Sequence, residues 1–251
     1  MAKAFYPNAQ TVIDAALRVL AVSDPEGGLS PTTTERTNAL EALNFLVTSW
    51  QADGLQVWCQ KTQTITLVAG QASYTVGPGG DINIARPTQI SQAWLRATTG
   101  TQPVDIPLNL IDRATYNALS VKTTQGSSNQ LFYEPAYDLP AGNSGAAAKG
   151  RFYLWPVPDS SVVANYNLMF VYTRPIQDFN STTDYLDFPQ EWFNAIKWGL
   201  AAQIGFEYGV PVEIMDRIRK TAEDEKQRVL GWDTEKDSVF FQIDHRYETR
   251  F

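Results

Sequence analysis

LDFPQEWFNAIKWGLAAQIG, residues 186–205, is the stretch on which the reading of the fold turns. Trp192, Ile196, Leu200 and Ile204 recur at every fourth position, the one-sided spacing of a helix, with Pro189 in the first turn and Tyr208-Gly209 as the stop. Asp187, just ahead of Pro189, reads as the N-cap. A second helix starts at Pro211, with Ile214, Ile218, Ala222 and Val229 on one side and charged residues on the other.

Helical spacing also governs the N-terminal end. Val12, Ile13, Ala16, Leu17 and Leu20 form an apolar stripe with Asn8 as its cap. Leu40, Leu43, Val47 and Trp50 form another. Its start offers two readings, Ser30-Pro31 as cap and first-turn proline, or a capping box of Thr32 with Glu35. Asp53-Gly54 closes it. The turn Ser23 to Gly28 makes the two helices an antiparallel hairpin whose stripes must be covered by something else.

Between these helical ends the texture changes. Residues 61–130 hold only eight charges and are rich in Thr, Gln, Val and Ile. Thr62–Val68 and Ala72–Val76 read as a hairpin around Gly70. Gly77-Pro-Gly-Gly-Asp81 is a turn cluster. Further strands are expected at Pro87–Ala97, Val104–Leu108, Gln130–Glu134, Arg151–Trp155 and Val162–Thr173, with a short helix within Asp112–Ser120. The set suits an antiparallel sheet domain. Pro140–Ala148 is low in bulk and reads as a mobile loop.

Composition removes whole classes of chemistry. The single cysteine, Cys59, and single histidine, His245, leave no intramolecular disulfide and no Cys/His zinc site. Cys59 reads as a small buried apolar residue and His245 as an exposed or interface side chain. The charge of -7 argues against a phosphate-gripping surface. No apolar run approaches the roughly 18 residues of a membrane span, and no secretory signal opens the sequence. The Gly77–Gly80 turn lacks the ending of a Walker loop. No catalytic, cofactor-binding or metal-binding residue is expected. A glycosidic hydrolase needs only two carboxyl groups about 5–9.5 Å apart, and Asp184 with Asp187, or Glu134 with Asp138, are the pairs to test. Aromatic residues of the sheet region, among them Trp94, Tyr133, Tyr137, Phe152, Tyr153, Trp155, Tyr166, Phe170 and Tyr172, read as core. Exposed, they would suit a carbohydrate- or receptor-binding module.

Past Trp232 the periodicity ends, yet the last nineteen residues keep Val239, Phe240, Phe241, Ile243, Tyr247 and Phe251. Exposed aromatics gain nothing in water, whereas burying one phenylalanine is worth about 1.5–3 kcal/mol. The segment reads as a docking arm, for another chain or for its own helices.

Several motifs occur in a shared order: Leu40-x-x-Leu43-Asn44 to Trp50-x-x-Asp-Gly-Leu55; Leu67-x-x-Gly-Gln-x-Ser-Tyr-Thr-Val-Gly-Pro-Gly-Gly-Asp81; Arg86-Pro87; Leu154-Trp-Pro-Val-Pro158; and Leu186-x-Phe-Pro-x-Glu191-Trp to Tyr208-Gly-Val210. From about residue 9 to 230 the sequence resembles the head-to-tail adaptor family of tailed phages, in particular the tail accessory factors of short-tailed phages. The resemblance implies an α+β fold. Residues 1–60 and 181–232 would supply an antiparallel core of about four helices, residues 61–180 an inserted antiparallel β-domain, and residues 233–251 an extended arm. It implies a non-enzymatic virion protein assembled in the host cytoplasm into a ring of about twelve copies at the head-tail junction. Such a ring binds the portal protein, closes the filled head and carries a downstream nozzle or hub protein and tail fibres. Double-stranded DNA passes through without specific binding, and no cofactor or membrane is involved. The resemblance gives portal docking to Val239, Phe240, Phe241, Ile243, Tyr247 and Phe251. Some similar proteins are described as peptidoglycan hydrolases, which makes muramidase-like activity the alternative.

Overall fold

A computed structural model describes residues 6–22, 28–52, 57–100, 102, 104–138 and 148–231. The expectations for Ser23–Gly27, Asp53-Gly54, most of the Pro140–Ala148 loop, His245 and the C-terminal arm lie outside these residues. The described chain is α+β.

Four helices share one hydrophobic cluster: α1 (Ala9–Val19), α2 (Thr33–Ala52), α5 (Phe193–Ile204) and α6 (Val212–Leu230). Asn8 caps α1, its Oδ1 accepting from the Thr11 amide at 3.0 Å. At the start of α2 the capping box forms in both directions: the Thr32 amide donates to Glu35 at 2.7 Å, and the Glu35 amide donates to the Thr32 hydroxyl at 3.2 Å. These contacts hold the Glu35 carboxyl below its ordinary pKa, the Thr32 amide first among the causes. Helix α5 buries Phe193, Ala195, Ile196, Gly199, Leu200, Ala201 and Ile204, more than one face, and packs against the other three helices. One expectation for α6 fails: Ile214 is 48% exposed and Met215 is buried in its place. A one-residue turn of the helix, about 100°, brings Met215 to Gly205. A side chain there would force Met215 to shift, since its Cβ would meet the Met215 sulfur and stand 3.0 Å from the Ala201 carbonyl oxygen.

The β-region holds the second cluster, enclosed between two four-stranded sheets. One sheet runs in the order β1 (Gln60–Thr66), β10 (Tyr166–Thr173), β3 (Gln89–Ala97), β4 (Asp105–Pro107). The other runs β2 (Ser73–Val76), β8 (Lys149–Trp155), β7 (Gln130–Asp138), β5 (Asn109–Ile111). Alternate residues point inward, Leu168, Phe170 and Tyr172 from β10 against Phe152 and Leu154 from β8. The Phe152 and Phe170 rings meet edge to face at 4.8 Å. Short strands β6 (Gln125–Gly126) and β9 (Val157–Pro158) pair beside them, and two short helices, α3 (Arg113–Ala118) and α4 (Ser160–Asn165), complete the described chain.

Several strand expectations are corrected. Residues 62–76 do not form a hairpin: β1 pairs with β10 and β2 with β8, so the linker crosses from one sheet to the other. Leu67 is buried on the way, Tyr74 accepts the Val68 amide at 2.8 Å, and the Gly70 amide reaches the Pro158 carbonyl. Burial of Leu67 and Tyr74 outweighs what a local turn offers. The sheets are not wholly antiparallel, since β5 pairs with β7, and β6 with β9, in parallel. Residues 160–165 are helical because the Asp159 carboxylate caps them, accepting from the Val162 amide at 2.9 Å. The Gly77–Gly80 turn is closed by Asp81, which accepts from the Thr75 amide at 2.8 Å and the Thr75 hydroxyl at 2.7 Å. Gly77 has φ +146°, and a Cβ there would stand 2.9 Å from the Ala148 carbonyl oxygen.

The chain enters and leaves the β-region side by side. Gln60 pairs with Thr173, and the Arg174 amide donates to the Cys59 carbonyl at 3.0 Å. Beyond this ribbon, the Arg174 guanidinium embraces the Asp187 carboxylate through two contacts, Nη2 to Oδ1 at 2.7 Å and Nη1 to Oδ2. Asp187 is therefore not a helix cap. A 3-10 turn at Gln190–Trp192 follows Pro189, and α5 proper begins at Phe193. The segment 176–179 is laced to α2 by side-chain amides: Asn44 exchanges two 2.9 Å hydrogen bonds with the Phe179 backbone, and Gln51 accepts from the Ile176 amide at 3.3 Å.

Two outcomes are expected. Arg174→Met and Asp187→Asn each lower the unfolding free energy by about 1–3 kcal/mol, a fully buried pair discounted for partial exposure. The double variant loses less than the sum, by denaturant unfolding. Thr75 holds the Asp81 carboxyl below its ordinary value, chiefly through its hydroxyl, so the ionised form is favoured by folding. Its contribution is present above the usual carboxylate range and is lost as pH falls through the lowered value. Asp81→Asn is expected to cost about 0.5 kcal/mol at neutral pH, small because the group is exposed, and to flatten the acid limb of a stability-against-pH curve.

Candidate functional site

Three of the four carboxylates weighed for hydrolysis, Asp184, Asp187 and Glu134, are engaged in local structure. Asp184 accepts the Asn180 and Ser181 amides, both at 2.9 Å, within a turn whose own carbonyl receives the Ala9 amide. Asp187 holds Arg174 and also accepts the Gln177 amide at 3.2 Å. On the outer face of the second sheet, Glu134 takes Arg113 at 2.6 Å and the Tyr153 hydroxyl at 3.2 Å. The side chain of Asp138 is outside the described residues. Cys59 is fully buried in the helical cluster, as its apolar surroundings in the sequence suggest. Among the described residues no group of three or more His, Cys, Asp or Glu stands where it can hold a metal ion, and no helix is long and apolar enough to cross a membrane.

The sheet aromatics are largely committed to packing. Phe152, Phe170 and Tyr172 are buried, and Tyr133 donates to the Pro87 carbonyl at 2.6 Å, its hydroxyl pKa raised by burial. Phe132 and Tyr153 stack at 5.5 Å and are covered by Tyr116 of α3, itself 5.0 Å from Tyr153. Trp155 donates to the Val121 carbonyl at 2.9 Å. Tyr166 is partly buried against the sheet core, and Trp94 is half-buried beside an open cleft of about 620 Å³. The side chain of Tyr137 is outside the described residues. An aromatic platform open to sugar is not what the described positions form.

Among the residues the helices leave exposed are several large apolar ones. Phe45, on the outward side of α2, is 62% exposed, and Leu29 matches it. Around the α5–α6 turn Phe206, Val212 and Ile214 are 58%, 70% and 48% exposed, with the Arg219 guanidinium 4.3 Å from the Phe206 ring. Tyr185 is 71% exposed. Sequence periodicity did not single out Phe45 or Phe206; being off the stripes yet large and apolar was the available signal. A groove of about 480 Å³ lies between α1 and the first turns of α5. Such surfaces suit the side chains of another polypeptide better than the chemistry of a small substrate. The arm residues Val239, Phe240, Phe241, Ile243, Tyr247 and Phe251 lie beyond the described residues.

No curated protein matches the chain. A family model described as "SU10 adaptor protein" matches residues 7–233, from the approach to α1 to the residues just past α6. The match spans both hydrophobic clusters and supports the phage adaptor character implied by the motifs. With nine-tenths of its length covered, the chain belongs to the SU10 adaptor protein family.

Proposed function

We propose that this chain is a structural component of the virion of a short-tailed phage, a head-to-tail adaptor that assembles as a ring of about twelve copies beneath the portal. In this reading it helps to close the DNA-filled head and gives tail proteins their platform. The family match over residues 7–233 carries it. Two physical features agree. Large apolar residues stand exposed on α2 and at the α5–α6 turn, and two such dissimilar patches suit a heterologous contact repeated around a ring. The formal charge of -7 per chain keeps phosphate attraction weak, so DNA passes without being held. The core is four helices around α5, residues 233–251 are the portal-docking arm, and no reaction is catalysed, since Asp184, Asp187 and Glu134 serve as structural partners.

Mixed with purified portal of its own phage, the protein should comigrate on size exclusion as a ring complex. The chain ending at Trp232 should keep its circular dichroism and lose comigration. Failure of the full chain to comigrate overturns the adaptor reading, and undiminished binding by the shortened chain overturns the role of the arm. In a zymogram on cell-wall substrate no clearing is expected. Clearing that disappears in any one of Glu134→Ala, Asp184→Ala, Asp187→Ala or Glu191→Ala would replace the structural reading with the hydrolase one.

A further inference from the structure

Strand β1 is paired along one side. Its seven residues meet β10 in unbroken register, from Gln60 opposite Thr173 to Thr66 opposite Asn167, and β1 stands at the edge of its sheet. The Arg174 amide donates to the Cys59 carbonyl in that same register, and hydrogen-bonded pairs alternate along an antiparallel ladder. Lys61, Gln63 and Ile65 therefore turn their amides and carbonyls toward β10. Thr62, Thr64 and Thr66, all exposed, turn theirs the other way, where no strand lies among the described residues. On that side the Thr64 carbonyl accepts the side-chain amide of Gln63 at 3.1 Å, a flexible group that an incoming strand can displace.

The other edge strands of the two sheets are guarded in the ways that keep strands from adding. The outward groups of β2 are taken: the Thr75 amide goes to Asp81, the Thr75 carbonyl accepts the Ile82 amide at 2.9 Å, and the Ser73 carbonyl accepts the Gln71 side chain at 3.0 Å. Strands β4 and β5 have three residues each, and β4 ends in Pro107, which has no amide to offer. By contrast β1 has no proline and no bulge, three threonines and an isoleucine that suit extended backbone, and one charge, Lys61. One edge is left fit for pairing.

We propose that β1 is a docking edge, to which an extended segment of a different virion protein adds as a further strand through the backbone of Thr62, Thr64 and Thr66. A second copy of the chain is the wrong occupant. Among the described edge strands it offers only its own β1, and two such edges paired about a two-fold axis close a dimer, not a ring. Lys61 and Ile65 share the face of β1 that carries Tyr172 and Leu168 on β10. Ile65 packs against the sheet cluster, and Lys61 is exposed and meets no carboxylate among the described residues. The segment that fits therefore carries an apolar side chain beside Ile65 and a carboxylate beside Lys61, four positions apart, with no proline between. The proposal rests on the virion-adaptor reading and adds a contact in the β-region.

The test is amide hydrogen exchange resolved to single residues, on the isolated full chain and on intact virions of its own phage. In the isolated chain the Gln63 and Ile65 amides should be protected, and those of Thr62, Thr64 and Thr66 open at every concentration. In the virion the three threonine amides should slow by about a hundredfold or more. Protection in the dilute isolated chain would give the edge to a segment of its own, and protection that grows with concentration would give it to a second copy. Threonine amides still open in the virion would leave the edge without a strand. Each of these outcomes overturns the proposal. Thr64→Pro removes an outward amide and spares the β10 ladder, so the variant should keep its circular dichroism while phage carrying it lose the protection at Thr62 and Thr66. Full protection at both in that phage would equally overturn it. Absence of the chain from purified virions is the separate result that overturns the adaptor reading, and this proposal with it.

Discussion

The architecture depends on one constraint, that the β-region enters and leaves the helical part through a single paired ribbon. Gln60 opposite Thr173 closes the sheet side, and the Arg174–Asp187 pair closes the helix side. A charge pair with about a fifth of each side chain exposed gains from a lowered local dielectric while keeping part of its hydration. The hydrogen bond to Asp187, the largest influence on Arg174, holds the guanidinium pKa above its usual value. Asp187 also takes the Gln177 amide, and its backbone carbonyl accepts from Trp58 at 3.1 Å. One residue therefore ties the outgoing strand, the returning strand and the approach to α5 together.

Four aromatic residues gather around that junction. Trp58 lies 5.1 Å from Trp192 and 5.5 Å from Phe188, and Trp50 completes the group. Such rings bury large areas and prefer tilted contacts, so they give the small helical cluster much of its cohesion where the two hydrophobic clusters approach each other. The helices beyond it can then leave Phe45 and Phe206 exposed without loss of the fold. Stability is supplied at the centre rather than at the outer faces.

The distribution of acids follows the same logic. Helix α1 takes its cap from the neutral Asn8, but Asp112, Asp159, Asp81 and Asp184 each satisfy backbone amides of turns and helix starts. A carboxylate so occupied is an anchor for the backbone. An adaptor that must keep its shape while other proteins bind it has use for many such anchors.

Much of this was legible in the residues. The positions of the four long helices, the Asn8 cap, the Thr32–Glu35 box, burial of Cys59 and the inward alternation of 168–172 all follow from local chemistry and from periods of 3.6 and 2. The ordered motifs carried the adaptor resemblance because they cluster where backbone geometry is demanding, at the Gly77–Asp81 turn and at Asn44. What the linear sequence withheld was partner choice. That β1 joins β10 rather than its neighbour, that β5 runs parallel to β7, that Met215 rather than Ile214 turns inward, and that Asp187 clasps Arg174 instead of capping a helix are contests between near-equal local options. Contacts between segments far apart in the chain decided them, because burying Leu67, Met215 and the aromatic junction together is worth more than any single turn or cap.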